Sequence, residues 1–324
     1  MLPASVSAWQ RSSSPGKRQK RASENSLRPA ELSFSSSAGF LWFCEYGIIV
    51  SDGHGCRQVI TIKLTEEGFS MITDSYDDKS PAKINIKKNE NAVQVDAVIY
   101  TFSEEIEKYV IAHYDCEKVG EYAMACGATS VYLLRHHGKR IGFFRTWVGA
   151  PACIGPIEEL STVLNTNKII HYGGAGCLDR EIARGRIMIP TEAYRDEGTS
   201  YHYAPASDYI RIKNHDIVKA FMEENRIPYV LGKTWTTDAF YRETVNNFEK
   251  HKADGCISVE MEGAAVQAVC DFRGLEVYMF FTGGDLLDAP EWTDRREKGQ
   301  IEHTQHDPGH FDIALALAEY VVNI

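Results

Sequence analysis

Apolar and polar positions become regular only after about residue 95. From there, short apolar runs that end in small or polar residues alternate with longer stretches that have apolar residues at helical spacing. The runs predicted as strands are 95–100, 130–134, 140–146, 168–172, 187–190, 229–232 and 276–282. One helix is predicted to begin after Ser103, which is a good N-cap residue. Further helices are predicted over 152–164, 216–225, 260–272 and 310–322.

This alternation predicts an α/β protein with three layers, in which a central mixed β-sheet is flanked by helices on both faces. Ligands of such sheets bind at the carboxyl ends of strands. Segments 102–105, 173–176 and 283–285 each begin where a predicted strand ends. We therefore expect the functional site where these three segments converge.

The first 70 residues have a different composition. Segment 11–37 is rich in serine and contains a basic cluster at 17–21, which favours a disordered or artefactual leader over a nuclear or anionic-surface tag. Glu66-Glu67-Gly68 precedes Met71, and their codons can form a ribosome-binding sequence. We expect a leader at 1–70, a natural start at Met71 and one domain over 71–324, which N-terminal sequencing of the native protein would test.

Charge and cysteine content exclude several classes of function. The net charge of −10 argues against non-specific nucleic-acid binding, which needs a basic surface. The eight cysteines are scattered without a C-x-x-C pair, which predicts buried thiols in a reducing, cytoplasmic setting and no metal site. The sequence contains no apolar run of about 18 residues, so we expect no membrane span.

The segment Glu260-Met261-Glu262 is the first candidate for chemistry. A carboxylate can accept two hydrogen bonds, which suits a pair of vicinal hydroxyls. Methionine offers a soft apolar surface for a sugar or a base. The alternative is an ordinary pair of acids at the start of a helix.

Three further segments have both functional and structural interpretations. The glycine-rich 173–176 could present amides to a ligand or form a simple turn. Asp285 follows an apolar run and could donate a proton or cap a helix. The polar and aromatic stretch 195–203 could line a site or serve as a solvated connection.

Together these residues give residues 71–324 a resemblance to the nucleoside phosphorylase and nucleosidase superfamily. Val259-Glu260-Met261-Glu262 resembles its ribose-binding signature. The resemblance implies that Glu260 and Met261 contact the nucleoside, that Glu262 binds the ribose hydroxyls and that Asp285 protonates the leaving base. It also places Phe240, Gly174 and Ala175 against the substrate, and the loop from Arg195 is most similar to that of uridine phosphorylases.

The phosphate site departs from the family pattern. His171 stands where phosphorylases of this family have an arginine, and Gly174 replaces a serine or threonine. The sequence 101–105 replaces their N-terminal phosphate loop. The candidates left for holding phosphate are Arg145, Arg195 and His171.

The resemblance implies cleavage of an N-glycosidic bond through an oxocarbenium-like state, with no organic cofactor and with phosphate as co-substrate. The leading expectation is a phosphorylase that serves purine or uridine salvage. The alternatives are a hydrolase of the methylthioadenosine or S-adenosylhomocysteine type, with Glu105 as the base, and a non-catalytic nucleoside-binding protein. Members of the family are homo-oligomers, which we also expect here.

Overall fold

The computed structural model describes residues 45–51, 57–63, 71–179, 186–288 and 307–324. For residues 45–51 and 57–63, and for Asp285, the description covers the backbone alone. The chain divides into two units, residues 1–68 and 69–324.

The first unit contains one β-hairpin that the sequence pattern did not predict. Strands β1 (Glu45–Ser51) and β2 (Arg57–Lys63) are antiparallel, with Glu45 opposite Lys63 and Ser51 opposite Arg57. The other residues of 1–70 lie outside the described ranges. The assignment of 1–70 as a leader therefore stays a prediction.

The second unit is built on a mixed ten-stranded sheet. Its strands are β4 (Ala97–Thr101), β5 (Asp115–Met124), β6 (Gly127–His136), β7 (Lys139–Arg145), β9 (Lys168–Cys177), β10 (Ile187–Asp196), β11 (Tyr209–Arg211), β12 (Tyr229–Thr237), β13 (Cys256–Glu260) and β14 (Glu276–Leu286). The order is β11-β10-β12-β13-β9-β4-β7-β6-β5, and β14 pairs with both β9 and β10. Two short strands, β3 (Val93–Gln94) and β8 (Leu164–Asn165), form a separate parallel pair.

Helices cover the sheet on both faces. They are α1 (Glu104–His113), α2 (Ala150–Glu158), α3 (Leu160–Val163), α4 (His215–Glu224), α5 (Val245–Ala253), α6 (Gly263–Arg273) and α7 (Pro308–Asn323). Short 3-10 helices span Ile72–Asp74, Thr199–His202 and Phe240–Arg242. No helix within the described ranges has the length and apolar character needed to cross a membrane.

Strand β4 shows why the fold has three layers. All five of its residues are buried, as expected for a strand that is covered on both faces. Val98 and Tyr100 belong to the core beneath α2 and α6. Ala97 and Ile99 point the other way, into the core beneath α1, α4 and α7. The predicted three-layer α/β fold with a mixed sheet is therefore confirmed.

Two boundaries near the expected site were predicted wrongly. The glycine-rich 173–176 is not a loop, because β9 continues through it to Cys177 and pairs with β14. Glycine is needed for this packing: a Cβ on Gly176 would lie 2.4 Å from Leu287 Cδ1 and 2.9 Å from Val259 Cγ1. Glu260 does not begin a helix, since it is the last residue of β13.

Other elements match or extend the prediction. Ser103 caps α1, and its Oγ accepts a hydrogen bond from the Ile106 N–H at 3.2 Å. A tight turn joins the predicted strands β6 and β7, with positive φ at His137 and Gly138. The pattern missed β5, α5 and β13, and it ended β10 and β14 several residues too early.

Candidate functional site

The candidate site forms where β13 gives way to α6. Strand β13 ends at Glu260, Glu262 is the N-cap residue of α6, and the half-buried Met261 stands between them. This short connection turns the chain sharply, so the two glutamates do not share a helical face. Each carboxylate has its own set of partners.

The Glu260 carboxylate is used by the protein itself. Its Oε2 accepts the N–H groups of Glu262 at 2.8 Å and Gly263 at 2.5 Å. Its Oε1 accepts the Thr236 hydroxyl at 2.5 Å. Burial raises the pKa of Glu260, and these three donors oppose that rise because they favour the charged form. Glu260 thus ties the start of α6 to the sheet.

The Glu262 carboxylate is buried but has fewer protein partners. It is 6% exposed, and its Oε1 accepts the Gly149 N–H at 2.5 Å. Burial, and then the nearby negative charge of Glu260, raise the pKa of Glu262 to about 8. Gly149 is the N-cap residue of α2 and has φ of 100°, a value that favours glycine. The two helix starts therefore meet at this carboxylate.

Further polar groups surround Glu262. Burial is the largest cause that raises the pKa values of the Tyr100 hydroxyl and the Cys153 thiol, and the charge of Glu262 adds to it in both cases. Asp238 acts in the same direction on Glu262. The sequence pattern singled out none of these three residues, since their proximity follows from the pairing of distant strands.

The backbone brings the end of β14 to the same place. Gly283 pairs with Ala175 and Leu286 with Cys177, so the backbone at Asp285 lies beside Gly176. Gly176 in turn pairs with Val259 of β13. These pairings bring together the backbones of 173–176 and 283–285, two of the three segments predicted to converge. The Asp285 side chain lies outside the described part of the chain.

The other predicted substrate contacts differ in exposure. Gly174 is exposed and pairs with Thr282 of β14, while its neighbour Ala175 is buried. An exposed glycine on a central strand marks a point where no helix covers the sheet. Phe240 is 50% exposed and its ring centroid lies 4.1 Å from that of Tyr241. The role of these residues in binding stays a prediction.

Arg195 is occupied by its own loop. Its Nε donates to Ser200 Oγ at 2.8 Å, and its side chain is stacked 4.0 Å from the centre of the Tyr201 ring. Nη1 donates to the carbonyl of Pro205 at 2.6 Å, and Nη2 to that of Ala204 at 3.2 Å. Arg195 is only 4% exposed. These contacts of Arg195 hold the loop 195–207 together, and they argue against the proposed contact of Arg195 with phosphate.

His171 has no charge to offer an anion. Its ring is fully buried, and burial lowers its pKa to about 3, so the imidazole is neutral near pH 7. Nδ1 lies 2.6 Å from the Tyr100 hydroxyl, and the rings of Phe102 and Phe281 pack edge-on against it. The buried and neutral ring argues against His171 as a phosphate ligand, and its role in the site stays a prediction.

Arg145 and Glu105 lie by the turn from β4 into α1. Arg145 ends β7, opposite Thr101 of β4, and its Nε donates to Glu107 Oε2 at 2.7 Å. More than a third of the Arg145 side chain is exposed. Glu105 is exposed, and its Oε2 accepts the Ser103 hydroxyl at 3.2 Å. Arg145 is therefore the one predicted phosphate ligand that keeps an accessible charge.

Glu197 is a buried acid whose position the sequence did not reveal. Its Oε2 accepts the Ser200 N–H at 2.9 Å, while Oε1 has no hydrogen-bond partner among the described residues. Burial raises its pKa. Its negative charge in turn raises the pKa of Glu260, so it lies near the acids of the site. The sequence placed Glu197 in a possible site loop but gave no sign that it is buried.

The fold and these strand-end acids define a known class. Residues 96–307 match the model of the phosphorylase superfamily, and the chain belongs to that superfamily.

Named relatives narrow the comparison to nucleoside phosphorylases. The chain is similar to the purine nucleoside phosphorylase DeoD-type of Exiguobacterium sp., with 27% identity over 201 residues that cover 61% of this chain and 79% of the relative. The protein of the same name from Alkaliphilus metalliredigens is 28% identical over 191 residues, which cover 57% of this chain and 78% of the relative.

Two solved structures share the fold. Purine nucleoside phosphorylase from Toxoplasma gondii in complex with immucillin-H has a TM-score of 0.58 and 16% identity, covering 76% of this chain and 97% of that one. Uridine phosphorylase from Vibrio fischeri has a TM-score of 0.59 and 22% identity, covering 73% and 94%. At these identities the likeness concerns the fold alone.

Proposed function

We propose that this protein cleaves the N-glycosidic bond of a nucleoside by phosphorolysis, releasing a free base and ribose 1-phosphate. The observation that carries the proposal is the Glu262 carboxylate, which is buried at the start of α6 and accepts a hydrogen bond from the Gly149 N–H. A carboxylate has room for several donors, so Glu262 can accept the two vicinal ribose hydroxyls. The names of the DeoD-type relatives support the same activity.

The proposed reaction uses three groups. Glu262 positions the ribose and adds negative charge near the oxocarbenium-like state. Asp285 protonates the leaving base, a step that is typically worth about 10²–10⁴ in rate. Phosphate attacks the anomeric carbon. The accessible guanidinium of Arg145, at the carboxyl end of β7, holds the phosphate in part. The reaction needs no organic cofactor.

Hydrolysis is the second candidate, and a specific observation favours it. Of the three predicted phosphate ligands, Arg195 is enclosed in its own loop and His171 is neutral. The exposed Glu105 stands in the first turn of α1, beside the end of β4. With water as the nucleophile, Glu105 would serve as the general base.

One assay distinguishes these activities from simple binding. The full chain is incubated with inosine, adenosine, uridine and methylthioadenosine, with and without phosphate, and base release is measured. Strict dependence on phosphate is the expected result. Base release without phosphate would replace phosphorolysis by hydrolysis, and binding without turnover would leave a nucleoside-binding protein.

Asp285→Asn should reduce turnover of purine nucleosides more than that of uridine.

We also propose that the protein acts in the cytoplasm as a homo-oligomer. The cysteines in the described ranges are free thiols, which suits a reducing compartment. Phe240, Tyr241 and Val245 are exposed apolar residues close together in the chain, which suits a contact between copies. Light scattering coupled to size-exclusion chromatography measures the oligomeric state, and a monomer would contradict the second proposal.

A further inference from the structure

A cluster of two histidines and one glutamate lies at the turn between β6 and β7. It consists of His136, His137 and Glu319, and we call it the hairpin cluster. The ligand atoms of the three side chains all lie within 4.8 Å of one another. The Glu319 carboxylate reaches the hairpin from α7, in the C-terminal part of the chain. The cluster thus joins two elements that are far apart in sequence.

The hairpin cluster has the donor set of a transition-metal site. Imidazole nitrogens and a carboxylate oxygen are ligands that Zn²⁺ accepts, and two histidines with one glutamate form a common set of three. We propose that His136, His137 and Glu319 bind a divalent transition-metal ion of the Zn²⁺ type. This proposal is independent of the nucleoside chemistry, because it concerns other residues.

The distances support the proposal. His136 Nδ1 lies 2.6 Å from Glu319 Oε1, and His137 Nδ1 lies 3.1 Å from the same oxygen. Ligand atoms at about 2.0–2.1 Å from a tetrahedral zinc ion are about 3.3 Å apart. The three side chains therefore need only a small outward movement to surround an ion.

The hairpin holds the two histidines in place. His136 pairs with Lys139 across the turn, and His137 has φ of 46°, so the tight turn fixes the positions of both. Tyr114 packs edge-on against the His136 ring, with 5.7 Å between centroids. Lys139 Nζ donates to Asn323 Oδ1 of α7 at 2.7 Å, which connects the turn to the helix a second time. Such support lowers the cost of ordering the ligands.

The cluster also leaves room for exchange with solvent. The His137 side chain is 74% exposed, while those of His136 and Glu319 are 28% and 21% exposed. An ion could enter from the His137 side and keep a water molecule as its fourth ligand. Bound there, it would join the β6–β7 turn to α7 and stabilise the folded state, since a ligand of the native state shifts the unfolding equilibrium.

The test measures zinc binding by the full chain. The protein is stripped with a chelator and titrated with Zn²⁺ in a calorimeter, and its thermal midpoint is followed by circular dichroism. We expect one strong site per chain and a higher midpoint with zinc. His137→Ala should weaken binding about tenfold or more and remove the rise in midpoint. Glu319→Gln, which keeps the shape and the hydrogen-bonding oxygen of the side chain, should weaken binding as well.

Three controls make the result specific. His202→Ala removes another exposed histidine and should leave the affinity unchanged. The double variant His303→Ala/His306→Ala should also leave it unchanged, which separates the hairpin cluster from a second histidine-containing segment of the sequence. Binding of Co²⁺ should give visible bands without thiolate charge transfer. The proposal is overturned by wild-type protein that binds no zinc, by unchanged affinity in folded His137→Ala or by loss of binding in the double variant.

Discussion

Glu260 and Glu262 are two residues apart, yet their carboxylates have different tasks. Glu260 accepts two amide N–H groups and the Thr236 hydroxyl, so its oxygens are engaged within the protein. Glu262 accepts the N–H of Gly149. At the residue scale, the two acids therefore have separate roles, and the expectation that both contact the nucleoside is revised. We propose Glu262 as the ligand of the ribose and Glu260 as the residue that positions it.

The raised pKa of Glu262 makes ribonucleoside binding dependent on pH. Below about 8 the free carboxyl carries a proton, which must be lost before both oxygens accept hydroxyl groups. We expect the affinity for inosine to increase as the pH rises from 6 to 8, by up to about tenfold per pH unit. Isothermal titration calorimetry at each pH measures this affinity.

Glu262→Gln provides the comparison, because it cannot ionise. It should bind inosine more weakly and with a flat pH profile over the same range. This substitution should reduce the affinity for 2′-deoxyinosine, which lacks one of the two hydroxyls, by less than it reduces the affinity for inosine. A variant that retains the wild-type pH profile would exclude Glu262 as the group responsible.

Arg145 and Arg195 form a matched pair for the phosphate question. Arg145→Gln should raise the KM for phosphate, because it removes the accessible charge near the end of β7, and should change stability by less than about 1 kcal/mol. Arg195→Gln should lower the free energy of unfolding by about 1–3 kcal/mol, because it leaves carbonyls of the loop 195–207 without donors. Steady-state kinetics and denaturant unfolding separate the two effects. A phosphate KM that rises only in Arg195→Gln would reverse the assignment.

At the scale of elements, the start of α6 depends on the neighbouring strand β12. The Thr236 hydroxyl donates to Glu260 Oε1 and accepts the Ala264 N–H at 3.0 Å. One side chain of β12 therefore connects the last residue of β13 to the first turn of α6. This arrangement helps to fix the position of Glu262 by holding the residues on either side of it.

Thr236→Val should break this connection, since valine keeps the shape but lacks the hydroxyl. We expect a loss of about 1–3 kcal/mol in the free energy of unfolding, because the Ala264 N–H loses its acceptor and Glu260 a donor. Thr129→Val is the control: the Thr129 hydroxyl is buried and has no hydrogen-bond partner within the described residues. That variant should be neutral or stabilising. Equal losses in urea unfolding of both variants would contradict the role of Thr236.

At the scale of the whole molecule, buried titratable groups shape the stability of the free protein. The pKa of Glu262 is raised from 4.5 to about 8, so its contribution is full below pH 4.5 and is lost as the pH rises through about 8. The pKa of His171 is lowered from 6.5 to about 3, so its contribution is present above pH 6.5 and is lost as the pH falls towards 3. Both effects follow from burial in the core around the site.

The pH profile of the thermal midpoint should therefore have its maximum between about 4.5 and 6.5, where the two contributions balance. Glu262→Gln should reduce the decline between pH 6.5 and 8. His171→Phe should reduce the decline as the pH falls from 4.5 towards 3, whatever its effect on the absolute midpoint. Calorimetry in buffers of constant ionic strength measures these slopes, and slopes equal to those of the wild type would refute the assignment.

Local sequence determined the class of fold and singled out the acids of the candidate site. Apolar runs in the main unit predicted strands that the sheet contains, because burial on both faces requires such runs. Ser103 predicted the start of α1, since a hydroxyl N-cap acts through neighbours in the chain. The sequence singled out Glu260 and Glu262 as candidate site acids, but it placed Glu260 at the start of a helix and not at the end of β13.

Tertiary structure decided which of these groups are free to act. Whether Arg195 reaches a ligand depends on the carbonyls of its own folded loop, and whether His171 is charged depends on the rings around it. The glycines at 173–176 resemble a loop in sequence but form a strand, because β14 and β13 supply their hydrogen bonds from distant parts of the chain. Hydrogen-bond partners and burial come from residues far apart in sequence, and local patterns carry no information about them.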